Sequence, residues 1–129
     1  MSLKDHREAC EVIRHSLVYS MRCGDRFVIY VDKLAPNFKT EYNFPENLWP
    51  SELIFDFEKW REYDNYMKVV KQDENHDMLL QKGKYYMEDN FQMIILATFK
   101  PGEQSEADVK QLLDGIPLSD KMAKYMVIH

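Results

Sequence analysis

The beginning of the chain combines a helical and a strand-like pattern of apolar residues. In residues 5–22 the apolar side chains recur at steps of one, three and four, which places them on one stripe of a helix. The stripe consists of Ala9, Cys10, Ile13, Leu17 and Met21. Gly24 predicts the end of this helix, because glycine readily takes the left-handed conformation of a helix cap. Arg26–Val31 follows as a nearly continuous apolar run, which is typical of a strand covered on both faces.

Residues 32–55 predict an ordered but irregular segment. Pro36, Pro45 and Pro50 interrupt it, so neither a helix nor a strand can run far. The large apolar side chains of this segment argue against a flexible linker. They are Phe38, Tyr42, Phe44, Leu48 and Trp49. A loop of this length inside a compact domain is uncommon and often functional.

The rest of the chain predicts alternating helices and strands. Residues 56–73 are expected to form a helix with Asp56 as its N-cap, and helical character is expected to continue through residues 74–80. Its apolar stripe, interpreted as core packing rather than a partner groove, consists of Phe57, Trp60, Tyr63, Met67 and Val70. The later elements are a short strand at 85–87, a strong strand at 91–99, a helix at 105–116 and a last strand at 124–128.

Together these elements give the order α-β-(irregular excursion)-α-β-β-α-β. The last strand–helix–strand unit is long enough for a right-handed parallel crossover. The predicted fold class is therefore α/β, a three-layer sandwich with a mostly parallel central sheet. Since no interior boundary is visible, residues 1–129 are interpreted as a single α/β domain, either complete or a fragment of a larger protein.

Composition and charge disfavour several classes of partner. Hydrophobic residues make up 45% and charged residues 30%, which fits a globular domain. The net charge of −5 disfavours nucleic acid and anionic membranes, since both need a positive field. The apolar runs are far shorter than the ~20 residues of a membrane-spanning helix. We therefore expect a protein partner, no nucleic acid and no membrane, with the oligomeric state left open.

The two cysteines predict reduced thiols. If residues 5–22 form one helix, Cys10 and Cys23 lie about 20 Å apart along its axis. A disulfide needs Cα atoms within about 7 Å. This cysteine usage is typical of a cytoplasmic protein. Because the chain has no CxxC motif and no metal-binding histidine pair, it predicts no metal site and no cofactor.

The residues after the first strand carry a weak catalytic signal. Asp32 lies where a Walker B carboxylate would hold magnesium. The chain has no glycine-rich phosphate loop to share that metal, so a helix cap or loop anchor is the favoured role. Lys33 is a poor general base, because its amine stays protonated unless its pKa is strongly lowered. No catalytic residue is predicted, and the sequence favours a non-enzymatic role.

Two further polar groupings are interpreted as structural. Residues 74–77 (Glu-Asn-His-Asp) are the densest polar cluster and suggest an acid–base pair or a metal ligand. Neighbours on a helix point about 100° apart, so Asp77 is poorly placed to orient His76, and a solvated helix end is favoured. Cys10 lies on the apolar stripe and His15 on another face, so a buried structural thiol is favoured over a thiolate pair.

Two stretches of the chain carry a family likeness. Residues 11–31 lead from a helix through a glycine-containing turn into a strand. Residues 82–101 join Gly-Lys-Tyr-Tyr to the run Asn-Phe-Gln-Met-Ile-Ile-Leu-Ala-Thr-Phe-Lys-Pro. Both resemble part of an AAA+ ATPase module, in particular the degenerate modules in the ring of dynein heavy chains. The resemblance implies a Walker B strand at 27–32 and a sensor-1 strand at 93–98, with Thr98 as its polar residue. It also implies a P-loop-like fold that has lost nucleotide binding, because the Walker A loop is missing.

Two functions follow as hypotheses. The favoured one is a non-catalytic protein-interaction or scaffold domain, whose large aromatics act as interface anchors if they are exposed. The anchors are Phe38, Tyr42, Phe44, Trp49 and Trp60. The alternative is a small enzyme or ligand-binding domain that recognises an anionic small molecule at the carboxyl ends of the strands. Its residues are Asp32, Lys33, Thr98 and Lys100.

Overall fold

A computed structural model of the protein describes residues 3–31, 37–97, 110 and 114–117. The described residues form a mixed α/β structure with a two-stranded parallel sheet. The elements are helix α1 (Leu3–Cys23), strand β1 (Arg26–Val31), short helices α2 (Ser51–Ile54), α3 (Phe57–Trp60) and α4 (Tyr63–Tyr66), 3-10 turns at Met67–Val69 and Gln72–Glu74, and strand β2 (Gln92–Ala97).

Helix α1 confirms the helix predicted from the apolar stripe. Cys10, Leu17 and Met21 are buried in the hydrophobic core. The helix ends as predicted at Gly24, whose φ of +72° lies in the left-handed region. A Cβ at this position would lie 3.0 Å from the Cβ of Glu88, so glycine serves both the turn and the close approach.

Strands β1 and β2 are parallel neighbours, in agreement with the mostly parallel sheet predicted from the sequence. Their register pairs Val31 with Ala97, so both strands end at the same edge of the sheet. One face of the sheet contributes Phe27 and Ile29 to the hydrophobic core. The other face is more than a third exposed at Val28, Tyr30, Ile94 and Leu96. Coverage on both faces is therefore not confirmed by the described residues.

Residues 37–60 contribute much of the core although the first half of the segment is irregular. The buried side chains are Phe38, Leu48, Trp49, Ile54, Phe55 and Trp60. The ring of Phe55 contacts those of Phe38 and Trp49 edge-on, at centroid distances of 5.1 and 6.4 Å. An antiparallel bridge pairs Phe44 with Trp49, and the Ser51 hydroxyl donates to the Tyr42 carbonyl at 2.6 Å. The prediction of an ordered irregular segment is confirmed for its described part.

The continuous helix predicted over residues 56–73 is wrong. Asp56 is an N-cap as predicted, since its carboxylate accepts a hydrogen bond from Lys59 N at 3.3 Å. The helix that it begins is only one turn long, because Glu62 is extended, with ψ of 131°. The Asn65 amide donates to the Lys59 carbonyl at 2.8 Å and to the Glu62 carboxylate at 2.9 Å. Such local side-chain bonds compete with the backbone bonds of a continuous helix.

The apolar stripe expected along that helix is also wrong in part. Trp60 is buried, but Phe57 and Tyr63 are exposed, and Tyr66 takes the buried place instead. Beyond α4 the chain forms two 3-10 turns, separated by extended backbone at Val70, where ψ is 118°. Helical periodicity therefore predicts the burial of Trp60 but misses that of Tyr66 and Val69.

Residues 85–87 do not form the predicted short strand. Tyr85 is buried instead, and its hydroxyl donates to the Val18 carbonyl of α1 at 2.8 Å. The predicted helix at 105–116 lies outside the described residues except at 110 and 114–116, and the predicted strand at 124–128 lies wholly outside them. Within the described part, Phe38 N donates to the Gly115 carbonyl at 2.7 Å, and Ile116 is buried in the core.

Candidate interaction site

The four residues predicted to bind an anionic ligand lie outside the described part of the chain. They are Asp32, Lys33, Thr98 and Lys100. The structure does describe the strands that precede them. Because β1 and β2 are parallel and end opposite each other at Val31 and Ala97, the chain leaves both strands at the same edge of the sheet.

The predicted aromatic anchors are largely interior. Phe38, Trp49 and Trp60 are buried in the hydrophobic core, while Tyr42 and Phe44 are half-buried against it. An interface anchor must be exposed before its partner arrives. The five aromatics therefore do not form a contiguous exposed patch.

Three consecutive apolar side chains are exposed at a turn that follows the second 3-10 segment. Met78, Leu79 and Leu80 are 56%, 79% and 73% exposed. Leu79 and Leu80 have the highest exposure of the large apolar residues that the structure describes. Single exposed apolar residues are common on protein surfaces, whereas contiguous exposed groups mark interaction sites. We call these three residues the 78–80 tip.

The backbone of the 78–80 tip is fixed by one side chain. Asp77 Oδ1 accepts hydrogen bonds from the backbone N–H groups of Leu79 and Gln81, both at 2.9 Å. The N–H of Leu80 donates to the Asp77 carbonyl at 3.1 Å. This pattern is an Asx turn, in which a short carboxylate replaces a backbone acceptor. The Asp77 side chain therefore shapes the turn.

The two arms of the turn are joined below the 78–80 tip. His76 and Lys82 pair in an antiparallel bridge, and Gly83 N donates to the Asn75 carbonyl at 2.7 Å. The Asn75 side chain accepts a further bond from Tyr85 N at 3.3 Å. The turn is consequently a closed loop whose backbone is held by its own hydrogen bonds, while its apolar side chains point into solvent.

Leu80 adopts a conformation that leucine seldom takes. Its φ is +63°, in the left-handed region. The other described residues with positive φ are Asn47, Gly24 and Gly83, which are the residue types expected there. A non-glycine residue in this region costs about 1–2 kcal/mol. Leu80 thus combines backbone strain with the exposure of a large apolar side chain.

Arg22 of α1 fastens the base of the turn to the body of the protein. Its Nη2 donates to the Glu74 carbonyl at 2.7 Å and its Nε to the His76 carbonyl at 3.1 Å. The guanidinium also lies over the Tyr85 ring, 5.3 Å from the centroid. One side chain thereby holds the segment before the turn at two backbone positions.

Arg14 supplies a second and buried attachment. Its Nε and Nη2 donate to the Glu11 carboxylate at 2.9 and 2.8 Å. Its Nη1 and Nη2 donate to the Glu74 carboxylate at 2.6 and 3.1 Å, and Nη1 also donates to the Val69 carbonyl at 2.7 Å. All five N–H groups of this buried guanidinium therefore have acceptors, as a buried charge requires.

The same network lowers two carboxyl pKa values. The hydrogen bond from Arg14 lowers the pKa of Glu11 to about 2. Burial by itself would raise the pKa of Glu74, but hydrogen bonds from Arg14, from the N–H of Lys71 and from His15 outweigh it, and this pKa lies below its ordinary value. The pKa of Arg14 is raised, chiefly by Glu11. The attachment therefore consists of fully ionised groups at neutral pH.

The solvated helix end predicted for residues 74–77 is wrong. Glu74 is buried, and it ends a three-residue 3-10 segment at the base of a turn rather than a long helix. The buried partner, Arg14, lies sixty positions earlier in the chain, so no local pattern reveals it. As expected, the Asp77 carboxylate does not orient His76, whose Nδ1 contacts the Asp77 carbonyl at 2.8 Å instead.

The structural interpretation of Cys10 is confirmed. The thiol is buried, and burial raises its pKa to about 11, so the reactive thiolate is scarce at neutral pH. His15 does not contact it, since the Nδ1 atom of His15 lies 2.9 Å from Glu74 Oε2. Both described cysteines are free.

Helical periodicity misses the 78–80 tip, because it places these residues at the end of a helix. A usable signal is nevertheless present. Three consecutive apolar residues fit neither a single helical stripe nor a strand alternation. They are flanked by Asp77 and Gly83, both common turn formers. An apolar triplet between turn formers predicts an exposed tip.

Neither a metal centre nor a membrane span is found in the described ranges. Among residues 3–31, 37–97, 110 and 114–117, no three His, Cys, Asp or Glu side chains are grouped so that they could hold a metal ion. In the same ranges no helix has both the length and the apolar character needed to cross a bilayer.

Comparison with known proteins identifies no relative. No family model, no curated protein and no solved structure matches the chain. The resemblance to degenerate AAA+ modules therefore stays a prediction from the sequence.

Proposed function

We propose that this protein is a non-catalytic interaction domain that binds a protein partner through the 78–80 tip. The observation that carries the proposal is the combination of strain and exposure at Leu80. Its φ of +63° and its exposed side chain are both unfavourable in the isolated protein. Glycine or asparagine would occupy this position at lower cost. A leucine there is explained if its side chain is buried in a complex.

The attachment of the turn supports the same function. Arg22 and Arg14 of α1 hold the base of the turn, and Asp77 fixes its backbone. None of the hydrogen bonds that fix the turn uses a side chain of the 78–80 tip. A contact surface that is already ordered loses less conformational entropy on binding. The tip is also free to be mutated without loss of the turn.

The test is affinity capture from an extract of the source cells with matched variants. Leu79→Ser removes the most exposed apolar side chain of the tip. Val12→Ser removes an aliphatic side chain of comparable exposure, 68%, from the surface of α1. We expect a specific set of proteins to be retained by the wild type and by Val12→Ser. The amount retained by Leu79→Ser should be about tenfold lower, because a central apolar anchor contributes more than 1 kcal/mol to binding.

Circular dichroism and urea unfolding would establish that both variants fold as the wild type does. Equal retention by the wild type, Leu79→Ser and Val12→Ser would contradict the proposed function. Equal loss from both serine variants would also contradict it, because the contact would then depend on general surface apolarity.

A second candidate function is favoured by the parallel pairing of β1 and β2. In the alternative function predicted from the sequence, an anionic small molecule binds where two strands end at one edge of the sheet. The residues that follow these strands are Asp32, Lys33, Thr98 and Lys100. The register ends both strands together at Val31 and Ala97. An anionic ligand at this edge would suit the two lysines. A thermal-shift screen with nucleotides and phosphorylated carriers tests it, since a ligand at 100 times its Kd adds about 2.7 kcal/mol. A Lys33→Ala/Lys100→Ala variant should lose the shift.

We propose a three-layer α/β sandwich for the complete chain, supported by the apolar outer face at Val28 and Ile94, which suits a second covering layer. A reducing, cytoplasmic setting is supported by the free thiols of Cys10 and Cys23. Descent from a degenerate AAA+ module is supported only by the sequence likeness.

A further inference from the structure

We infer that the partner receives the 78–80 tip in an apolar pocket whose rim is acidic. The inference rests on the proposed function and adds the chemistry of the partner. Every residue from 78 to 84 is exposed, so the turn stands out from the body of the domain. A narrow protrusion with three adjacent apolar side chains buries most area in a concave site, whereas a flat surface would leave part of each side chain in water.

The charges around the tip favour an acidic rim. Lys82 and Lys84 lie on the arm that follows the tip, and both are exposed. None of the ion pairs between described residues uses either lysine. The only carboxylate within residues 76–84 is that of Asp77, and its Oδ1 already accepts two backbone bonds. With His76 neutral, one acidic and two basic residues give this turn +1, in a chain of net charge −5.

An anionic bilayer is the other surface that an apolar tip with two lysines could enter. One observation favours a protein pocket. The turn is held in one strained conformation, by Asp77 and at Leu80. A fixed shape increases affinity for a complementary pocket, whereas a fluid bilayer gains little from it.

The experiment places a photo-cross-linking amino acid at Gln81, beside the tip, in the full-length protein expressed in its source cells. The same amino acid at Val12 is the control. Cross-linked peptides identify the partner and the residues of its site. The purified partner is then titrated with the wild type, with Leu79→Ser and with a Lys82→Glu/Lys84→Glu variant, at low and at high salt. Vesicles containing phosphatidylserine are tested in parallel by co-sedimentation.

The inference predicts cross-links to apolar residues that have Asp or Glu beside them. The Lys82→Glu/Lys84→Glu variant should bind about tenfold more weakly than the wild type at about 0.05 M NaCl. The difference should shrink to about threefold or less at about 0.5 M NaCl, because salt screens exposed charges. Leu79→Ser should weaken binding at both salt concentrations.

The remaining outcomes separate the inference from the proposed function. If Leu79→Ser weakens binding but the charge reversal leaves the affinity within about twofold, the acidic rim is wrong and the proposed function stands. If Gln81 yields no protein cross-links beyond those of Val12, the proposed function fails and the inference fails with it. Vesicle binding that depends on Leu79, without a protein cross-link, assigns the tip to a membrane and overturns both.

Discussion

The segment 37–60 and the turn 76–84 are both rich in apolar residues outside long helices, but they place those residues oppositely. The first segment turns its rings inward, so that Phe38, Trp49 and Trp60 are buried. The second turns its apolar side chains outward, so that Leu79 and Leu80 are largely in solvent. In the first segment the packed rings stabilise the backbone together with hydrogen bonds such as the Phe44–Trp49 bridge, whereas in the second the hydrogen bonds that Asp77 accepts hold the backbone without help from the apolar side chains.

The comparison teaches which irregular segments can serve as contact surfaces. A segment whose order comes from its own apolar side chains cannot release them to a partner without unfolding. A segment whose order comes from capping carboxylates and distant arginines leaves its apolar side chains free for binding. The source of backbone order, more than the apolar content, therefore separates core from interface.

The largest expected effect is on the aromatic side of the comparison. Trp49→Ala should lower the free energy of unfolding by about 3–5 kcal/mol, because it removes a fully buried indole from a packed core. Leu79→Ala should change it by about 0.5 kcal/mol or less, since the side chain is in water. Urea unfolding of the two variants provides the measurement. Similar losses in both would refute the division into core and surface.

The next effect concerns the attachment of the turn. Glu74→Gln should lower the free energy of unfolding by about 3 kcal/mol, because it leaves the buried Arg14 guanidinium without one of its two carboxylates. Amide hydrogen exchange should quicken at Leu79 and Gln81, whose N–H groups bond to Asp77.

The matched control for this effect is Glu11→Gln, which removes the exposed carboxylate from the same arginine. Its expected cost is about 1 kcal/mol or less, as for other exposed pairs. If Glu11→Gln and Glu74→Gln lowered the free energy of unfolding equally, burial of the ion pair would not decide how much it contributes to stability. Unchanged exchange at Leu79 in Glu74→Gln would show that the tip does not depend on this attachment.

The sequence predicts the regular elements of the fold better than it predicts the candidate site. The stripe of α1, its end at Gly24 and the run of β1 are local patterns, and the structure confirms them. The base of the turn that carries the 78–80 tip is held by contacts between distant positions, above all Arg14 with Glu74. Helix periodicity cannot register such contacts, so it extends a helix through residues that Asp77 and Asn65 place in turns and short segments.

A pH effect follows from the two acidic partners of Arg14. The pKa of Glu11 falls from 4.5 to about 2, and that of Glu74 is also lowered. A carboxyl with a lowered pKa in the folded state stabilises that state above its unfolded pKa. The contribution is lost as the pH falls towards the folded pKa. The free energy of unfolding should therefore decrease from about pH 5 to pH 2, and chemical unfolding across this range measures it.

A Glu11→Gln/Glu74→Gln variant should show a flatter dependence of the free energy of unfolding on pH. An unchanged dependence would contradict the assignment of the pH effect to these two carboxyls.

The smallest effect tests whether strain and exposure at Leu80 serve binding. Leu80→Asn should raise the free energy of unfolding by about 0.5 kcal/mol, because asparagine tolerates a positive φ better than leucine does.

Gly83→Ala is the matched strain control, since the φ of Gly83 is +74° and a Cβ there meets no atom within 4 Å. It should lower the free energy of unfolding by about 1 kcal/mol through backbone strain alone. If Leu80 serves binding, the two variants should change the free energy of unfolding in opposite directions. Leu80→Asn should also weaken the capture of the partner. A loss of stability in Leu80→Asn would mean that the leucine contributes to folding, and its exposure would then need another explanation.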